Sequence, residues 1–497
     1  MDSTSQTTPV SVRSIPVTET SVPFGTAGLS EPAIGVALSA HGYVEHEYEL
    51  AGVATEWTYD EEFRRRPVAV HPYRTRVLVR RPADPARFSG VAQLEPLHPS
   101  LDSAFTWRNV HPWIMRSGHA WVGVTHDKQI SEEIRTLFPE RYDWLSLPVD
   151  GLTFDILGQL ALALKAGDLD GLTATQVVLS GWSMTGSFTR EFLQEGFNDA
   201  YTTADGTRPI DAAAICISAG GAHWAGFPPL SQGCALLPDD HPRRTVSGHG
   251  IPVFEIMSEC ESEGNATSTR DDSDDPTDPY RLYQVAGTSH TTTTQERSTT
   301  LTNATQYARA GGRILDQEVN EPPSDARLDE VARALFALLD RWMRTGAVPP
   351  RAPRFSWSDP LTTRTIPVLG TAHDLARDEV GNVIGGIRPP WVDVPLSVYL
   401  PHSTPVAGRF VVDDPKGSPD ELAAAQAGLL GYALPLPEER IRSRYADEAD
   451  YLAQLDRSIA RLVSEGYLCE PEAGRLRQRL GEKWGLMHDA STHPSAG

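Results

Sequence analysis

Two hydrophobic periods alternate along the first two-thirds of the chain. Tyr43–Leu50 and Arg74–Arg80 interleave apolar with polar residues in partial alternation, as a strand with one buried face does. Gly90–Leu97, Ala120–Val124, Thr175–Leu179, Ala212–Ile217, Val253–Met257 and Arg281–Val285 are short, largely apolar runs, the pattern of strands covered on both faces. Between them lie segments with helical spacing: Ser103–Arg116, Thr153–Lys165, Thr185–Phe197 and Leu328–Arg344. Gly118 stops the first, within which Pro112 predicts a kink or a split. Val331, Leu335, Leu338, Leu339 and Trp342 form the stripe of the last, and Gly346 with Pro349-Pro350 ends it. Short buried strands alternating with helices predict an α/β fold: a mostly parallel central sheet with helices on both faces.

The flanks read differently. Residues 1–30 are rich in Ser, Thr, Pro and Val without a period and predict a flexible N-terminal segment. The main domain is expected over 31–350, with long polar insertions at 222–250, 262–279 and 291–325 of the kind that form lids or binding loops. From 351 to 497 the chain is first Pro-rich with short β-like pieces, including Gly385–Pro395, and then helical. Ser418-Pro419-Asp420-Glu421 is a capping box with proline at the first helical position. Tyr451, Leu455, Ile459 and Leu462 make an apolar stripe. No linker separates this tail, so it is expected to pack on the core as an extension.

The chemistry is concentrated in Val177-Val178-Leu179-Ser180-Gly181-Trp182-Ser183-Met184-Thr185-Gly186. A strand ends in Gly-x-Ser and a helix starts at once, which resembles the nucleophile elbow of the α/β-hydrolase fold. The last glycine of the usual G-x-S-x-G is replaced by Thr185, with Gly186 one step later. A serine hydroxyl needs a base and a group that orients the base, and in this fold they follow in the order Ser, acid, His. The strand Val253–Met257 runs into Ser258-Glu259-Cys260-Glu261-Ser262-Glu263, and Arg281–Val285 into Ala286-Gly287-Thr288-Ser289-His290. Ser183, Glu261 and His290 are therefore the candidate catalytic residues, with Glu259 the other candidate acid. The oxyanion hole is expected from the backbone N–H of Met184 and of Leu97 or His98 in the loop after the third buried-face strand. Trp182 and Trp224 are candidate substrate-binding residues, with Trp107, Trp113 and Trp144 nearby in sequence, and together they point to a bulky, apolar small molecule. The run Asp271–Asp275 lacks the spacing and glycine of an EF-hand loop and reads as solvated.

Charge and composition narrow the class. Of 497 residues, 66 are Asp or Glu against 44 Lys or Arg, a net charge of −22, which disfavours a nucleic-acid partner. No apolar run approaches a membrane span, and the first residues lack a basic region followed by an apolar core, so a cytoplasmic location is expected. The four cysteines, Cys216, Cys234, Cys260 and Cys469, are scattered, so neither a metal site nor a disulfide framework is expected. The proposed chemistry calls for no cofactor. Nothing in the sequence fixes the oligomeric state.

The stretches Gly42–Glu47, Pro72–Phe88, Gly118–Val124, Gly181–Gly186, Tyr280–His290, Leu339–Pro353 and Gly385–Pro395 resemble a bacterial family of alpha/beta hydrolase domain-containing proteins, nearly end to end. The resemblance implies serine-hydrolase chemistry carried by Ser183 and His290. Glu261 stands where Asp is expected, and His98 where Asn is common. The reading is a hydrolase of carboxylic esters or lactones. The same residues would serve an acyltransferase, a lactone-forming or a C–C-cleaving enzyme, and the fold alone would serve a non-catalytic ligand-binding homologue.

Overall fold

The computed structural model describes residues 10–26, 36–218, 230, 241–264, 269–292, 303–312, 318–367, 370–407 and 418–492. Nine strands form one sheet: β1 (Ser11–Ile15), β2 (Tyr43–Tyr59), β3 (Arg65–Pro82), β4 (Val91–Pro96), β5 (Ala120–Val124), β6 (Gln176–Trp182), β7 (Ala212–Cys216), β8 (Val253–Met257) and β9 (Tyr280–Gln284). Their spatial order is β1-β2-β3-β5-β4-β6-β7-β8-β9. The first three are antiparallel to their neighbours, and β5 through β9 run parallel. The expected α/β-hydrolase architecture is present.

Strand alternation divides the core in two. Val177, Leu179, Ala213, Ile215, Val253 and Leu282 face one apolar cluster, closed by the helices Thr153–Ala166 and Met184–Gln194. Val178, Trp182, Ala212, Ala214, Phe254 and Tyr283 face the other, closed by the helices Phe105–Ser117 and Leu328–Thr345. The second cluster continues through Phe355, Trp391, Tyr451, Leu476 and Trp484, so the C-terminal extension shares the core of that face. The capping box at Ser418 is formed as expected.

Three expectations change. Residues 11–15, read as part of a flexible segment, form the edge strand β1, and Phe24 is buried. The sequence there is polar because an edge strand covers little. β2 and β3 run on well past the stretches their alternation marks and form a long hairpin. Asp155 accepts hydrogen bonds from Thr55 N (2.7 Å) and Trp57 Nε1 (3.1 Å), and Gln159 donates to Val53 O (2.8 Å), which ties the hairpin to the helix Thr153–Ala166. The helix Phe105–Ser117 is not split at Pro112. The carbonyl of Arg108, which Pro112 cannot reach with an N–H, lies 3.2 Å from Nδ1 of His111 instead.

His119 lies buried between Trp113 and Gln93, whose amide nitrogen is 3.2 Å from Nδ1. Burial, helped by Arg344, pushes its pKa down to about 3. Below about pH 6.5 the unfolded chain protonates this imidazole and the fold does not, so its share of stability drains away as pH falls. The stability advantage of wild type over His119→Gln is expected to shrink by about 2 kcal/mol between about pH 7 and about pH 5, as read from urea unfolding of both proteins. An advantage that does not change with pH would show that His119 is not held neutral.

Candidate active site

Ser183 stands at the carboxyl end of β6 with φ 58° and ψ −126°, a conformation that side chains rarely adopt. The surroundings enforce it. Its N–H donates to Cys216 O (3.0 Å) on β7, and the helix Met184–Gln194 begins at the next residue. A Cβ on Gly181 would lie 2.0 Å from the Thr185 carbonyl oxygen, so only glycine fits where the chain doubles back. Thr185 explains its own departure from the motif: its hydroxyl donates to Trp182 O (2.8 Å) and accepts from Trp182 N (2.9 Å), sealing the turn. Gly186 makes the close approach to β7, where a Cβ would lie 2.9 Å from Cys216 O.

Glu261 and His290 meet. Glu259–Gly264 is one turn of helix directly after β8, and His290 follows β9. His290 Nδ1 lies 2.7 Å from Glu261 Oε1, with the carboxylate side chain 1 % exposed and the imidazole 14 %. Burial raises the Glu261 pKa, but the hydrogen bond and charge of His290 and the Ser258 hydroxyl outweigh it, so the carboxyl stays below its usual range. An ionised carboxylate only accepts, so Nδ1 carries the shared proton and Nε2 is left with a lone pair.

Glu259, the other candidate acid, is engaged elsewhere: Gly287 N–H donates to its Oε1 (2.7 Å), and Arg377 pairs with Oε2 (2.7 Å). Glu263 is met by His402 Nε2 (2.8 Å) and by Arg364. The segment is thus buried and neutralised by residues of the C-terminal extension. The same extension grips the histidine loop. Thr291–Thr292 (β10) pairs with Leu430–Pro435 (β11). Ser289 Oγ donates to Pro401 O (2.6 Å) and Leu429 O (2.9 Å). Gly287 (φ 71°) lies so close to Val392 that a Cβ would come within 2.4 Å of its side chain. The sequence offered no signal for Arg364, Arg377 or His402, which lie about a hundred residues or more from their partners.

The oxyanion expectation is half altered. Met184 is the first residue of its helix, where the N–H has no intrahelical acceptor. The loop after β4 differs: Leu97 N–H donates to Val124 O (2.9 Å) and His98 N–H to Ser103 O (2.9 Å), so both backbone donors are spent. Ser103 N–H returns a bond to His98 O (3.0 Å), and Leu101 (φ 58°) and Asp102 (φ 51°) make the tight loop between. Asn303 Nδ2 holds that loop from outside through Leu101 O (2.7 Å).

Trp182 is corrected. It is 1 % exposed and belongs to the same core cluster as Trp107 and Trp113, because its strand position points away from the rim. Trp144 packs its ring near Arg74 and donates to Arg141 O (2.7 Å). Trp224 lies outside the described residues, as does much of the insertion that carries it. A bulky, apolar substrate therefore draws no support from these rings. The acidic run is not simply solvated: Asp272 pairs with Arg354, and Asp274 with Arg281 and Arg351.

A family model for the alpha/beta hydrolase domain matches residues 7–478. The chain belongs to this family. No curated protein sequence matches it. Solved structures with partial similarity include an esterase from Pseudomonas putida (13 % identity, 46 % of this chain and 67 % of that one, TM-score 0.27). A rice cell wall degrading esterase from Xanthomonas oryzae matches at 12 % identity (47 % and 82 %, TM-score 0.27). A hyperthermophilic esterase from Pyrobaculum calidifontis matches at 11 % (47 % and 74 %, TM-score 0.25). Membership rests on the sequence match. Among the described residues of this alpha/beta hydrolase, no helix is long and apolar enough to cross a membrane.

Replacing Arg377 by Met leaves the Glu259 carboxylate buried without its cation. The expected loss is about 2 kcal/mol of unfolding free energy, between the limits for exposed and fully buried pairs. Urea unfolding checks it, and a loss within error would show the pair to be idle.

Proposed function

We propose that this alpha/beta hydrolase cleaves carboxylic esters or lactones through an acyl-enzyme on Ser183. The observation that carries the reading is the buried 2.7 Å contact between Glu261 and His290 Nδ1, on the same sheet edge as the strained Ser183 turn. With Nδ1–H committed to Glu261, Nε2 is the base. It takes the Ser183 proton as Oγ bonds to the carbonyl carbon, and the carbonyl electron pair moves onto oxygen. Met184 N–H supplies one oxyanion donor at the helix N-terminus. Collapse of the tetrahedral intermediate expels the alkoxide, which leaves with the proton from His290. Water, deprotonated by His290, then releases the acid and restores Ser183. Glu261 holds the tautomer and stabilises the imidazolium without taking the proton.

The test is covalent labelling with a fluorophosphonate, read by intact mass and peptide mapping. One adduct on Ser183 is expected, absent in Ser183→Ala. Turnover of p-nitrophenyl acetate should fall by roughly 10³–10⁴-fold in Glu261→Gln, which presents the imidazole with the wrong partner. A folded wild-type protein that takes no adduct, or takes it at another residue, would sink the reading.

A further inference from the structure

We propose that the side chain of His98, through Nε2–H, is the second oxyanion donor. This rests on the serine-hydrolase reading above and replaces the backbone donor that the loop after β4 normally supplies.

Four observations converge on that nitrogen. First, the loop's backbone offers no donor at Leu97 or His98, because both N–H groups are bonded within the fold at 2.9 Å. Second, the tautomer of His98 is set by its own loop: Ser100 N–H donates to Nδ1 (3.1 Å), so Nδ1 must be the bare nitrogen and Nε2 must carry the hydrogen. Third, Nε2 is shut away from solvent and has no hydrogen-bond partner. A buried N–H left unpaired costs free energy comparable to a lost hydrogen bond, and such groups are rare unless a ligand completes them.

Fourth, the strand order puts His98 at the same rim as Ser183 and His290. β4 and β6 are parallel neighbours, paired from Val91↔Gln176 to Leu94↔Leu179. β4 ends at Pro96, two residues before His98, and β6 at Trp182, one residue before Ser183, so both residues lie just beyond the carboxyl ends of neighbouring strands. The imidazole is within electrostatic reach of His290 and His126, and burial followed by their charge pushes its pKa down to about 3. A neutral imidazole donates one hydrogen bond without placing a second cation beside the imidazolium that forms on His290. The ring is held in place: its centroid lies 4.7 Å from that of Phe105, the two rings tilted by 36°, and the His98–Ser103 backbone pair closes the loop.

In the reaction His98 exchanges no proton. Its N–H strengthens its bond to the carbonyl oxygen as negative charge gathers there and releases it when the tetrahedral species collapses. Removal of one such donor costs roughly 10²–10³-fold in rate.

Three variants separate a donor from a packing role: His98→Phe keeps a ring without the N–H, His98→Gln keeps an N–H without the ring, and His98→Ala has neither. The readouts are the second-order rate of Ser183 phosphonylation by a fluorophosphonate and the kcat and KM for p-nitrophenyl acetate. The expected result is a loss of about 100-fold in phosphonylation and kcat for Phe and Ala, with KM and the pH profile little changed and part of the rate regained by Gln. A Phe variant at the wild-type rate, or a Gln variant no faster than Phe, would overturn the proposal and leave the triad reading standing. A folded wild type whose Ser183 takes no phosphonate would overturn both.

Discussion

Three carboxylates buried within five residues are the constraint around which this molecule is arranged. Glu259, Glu261 and Glu263 follow β8 directly, and each is at most 1 % exposed. Charges so close and so far from water are tolerated only if each meets its own partner. Glu261 takes His290, Glu259 takes Arg377 and the Gly287 N–H, and Glu263 takes His402 and Arg364. Only the first of these pairs belongs to the proposed chemistry. The other two draw the C-terminal extension onto the sheet edge and hold the turn from both sides, so that the Glu261 carboxylate has little freedom to rotate away. The extension is therefore part of the site's electrostatics as well as of the core it completes.

Strain is distributed over the same edge. Ser183, Leu101, Asp102 and Ile217 all have positive φ without being glycine, and all lie in the turns that follow β4, β6 and β7. Such backbones persist when their surroundings over-determine them. Here the Thr185 hydroxyl, the Asn303 amide and the hydrogen bond from Ile217 N–H to Ile256 O (2.7 Å) do so. The rim is thus held by local bonds whose loss would let these turns relax.

What the sequence revealed follows from the range of the forces involved. Strands buried on both faces were legible because periodicity is local: Ala120–Val124 and Val253–Met257 have the bounds their apolar runs mark. The order Ser183, Glu261, His290 was legible because topology fixes which strand end carries which group. The choice of Glu261 over Glu259 rested on spacing from the strand, and only Glu261 lies against His290. Other features depend on contacts and orientations that no local pattern marks. The hairpin of β2 and β3 is long because Asp155 and Gln159 bond to it. Trp182 was misplaced because proximity to Ser183 along the chain says nothing about the opposite direction in which a strand neighbour points. The spent N–H of His98 comes from a loop closed by Ser103, which no motif announces.

The pairing of β10 with β11 has a consequence in time. The chain emerges from the ribosome with Ser183 first, and the strands β4 and β7 that flank β6 are complete by Cys216. The loop that carries His290 gains its partner strand only once Gly431 has been made and released, because Thr292 pairs with that residue and Ser289 packs against its backbone. Synthesis therefore separates the making of Ser183 from the fastening of the His290 loop by about half of the polypeptide. A translation product truncated before Leu430 would share the Ser183 motif with the finished protein while lacking the strand against which Thr291–Thr292 is paired.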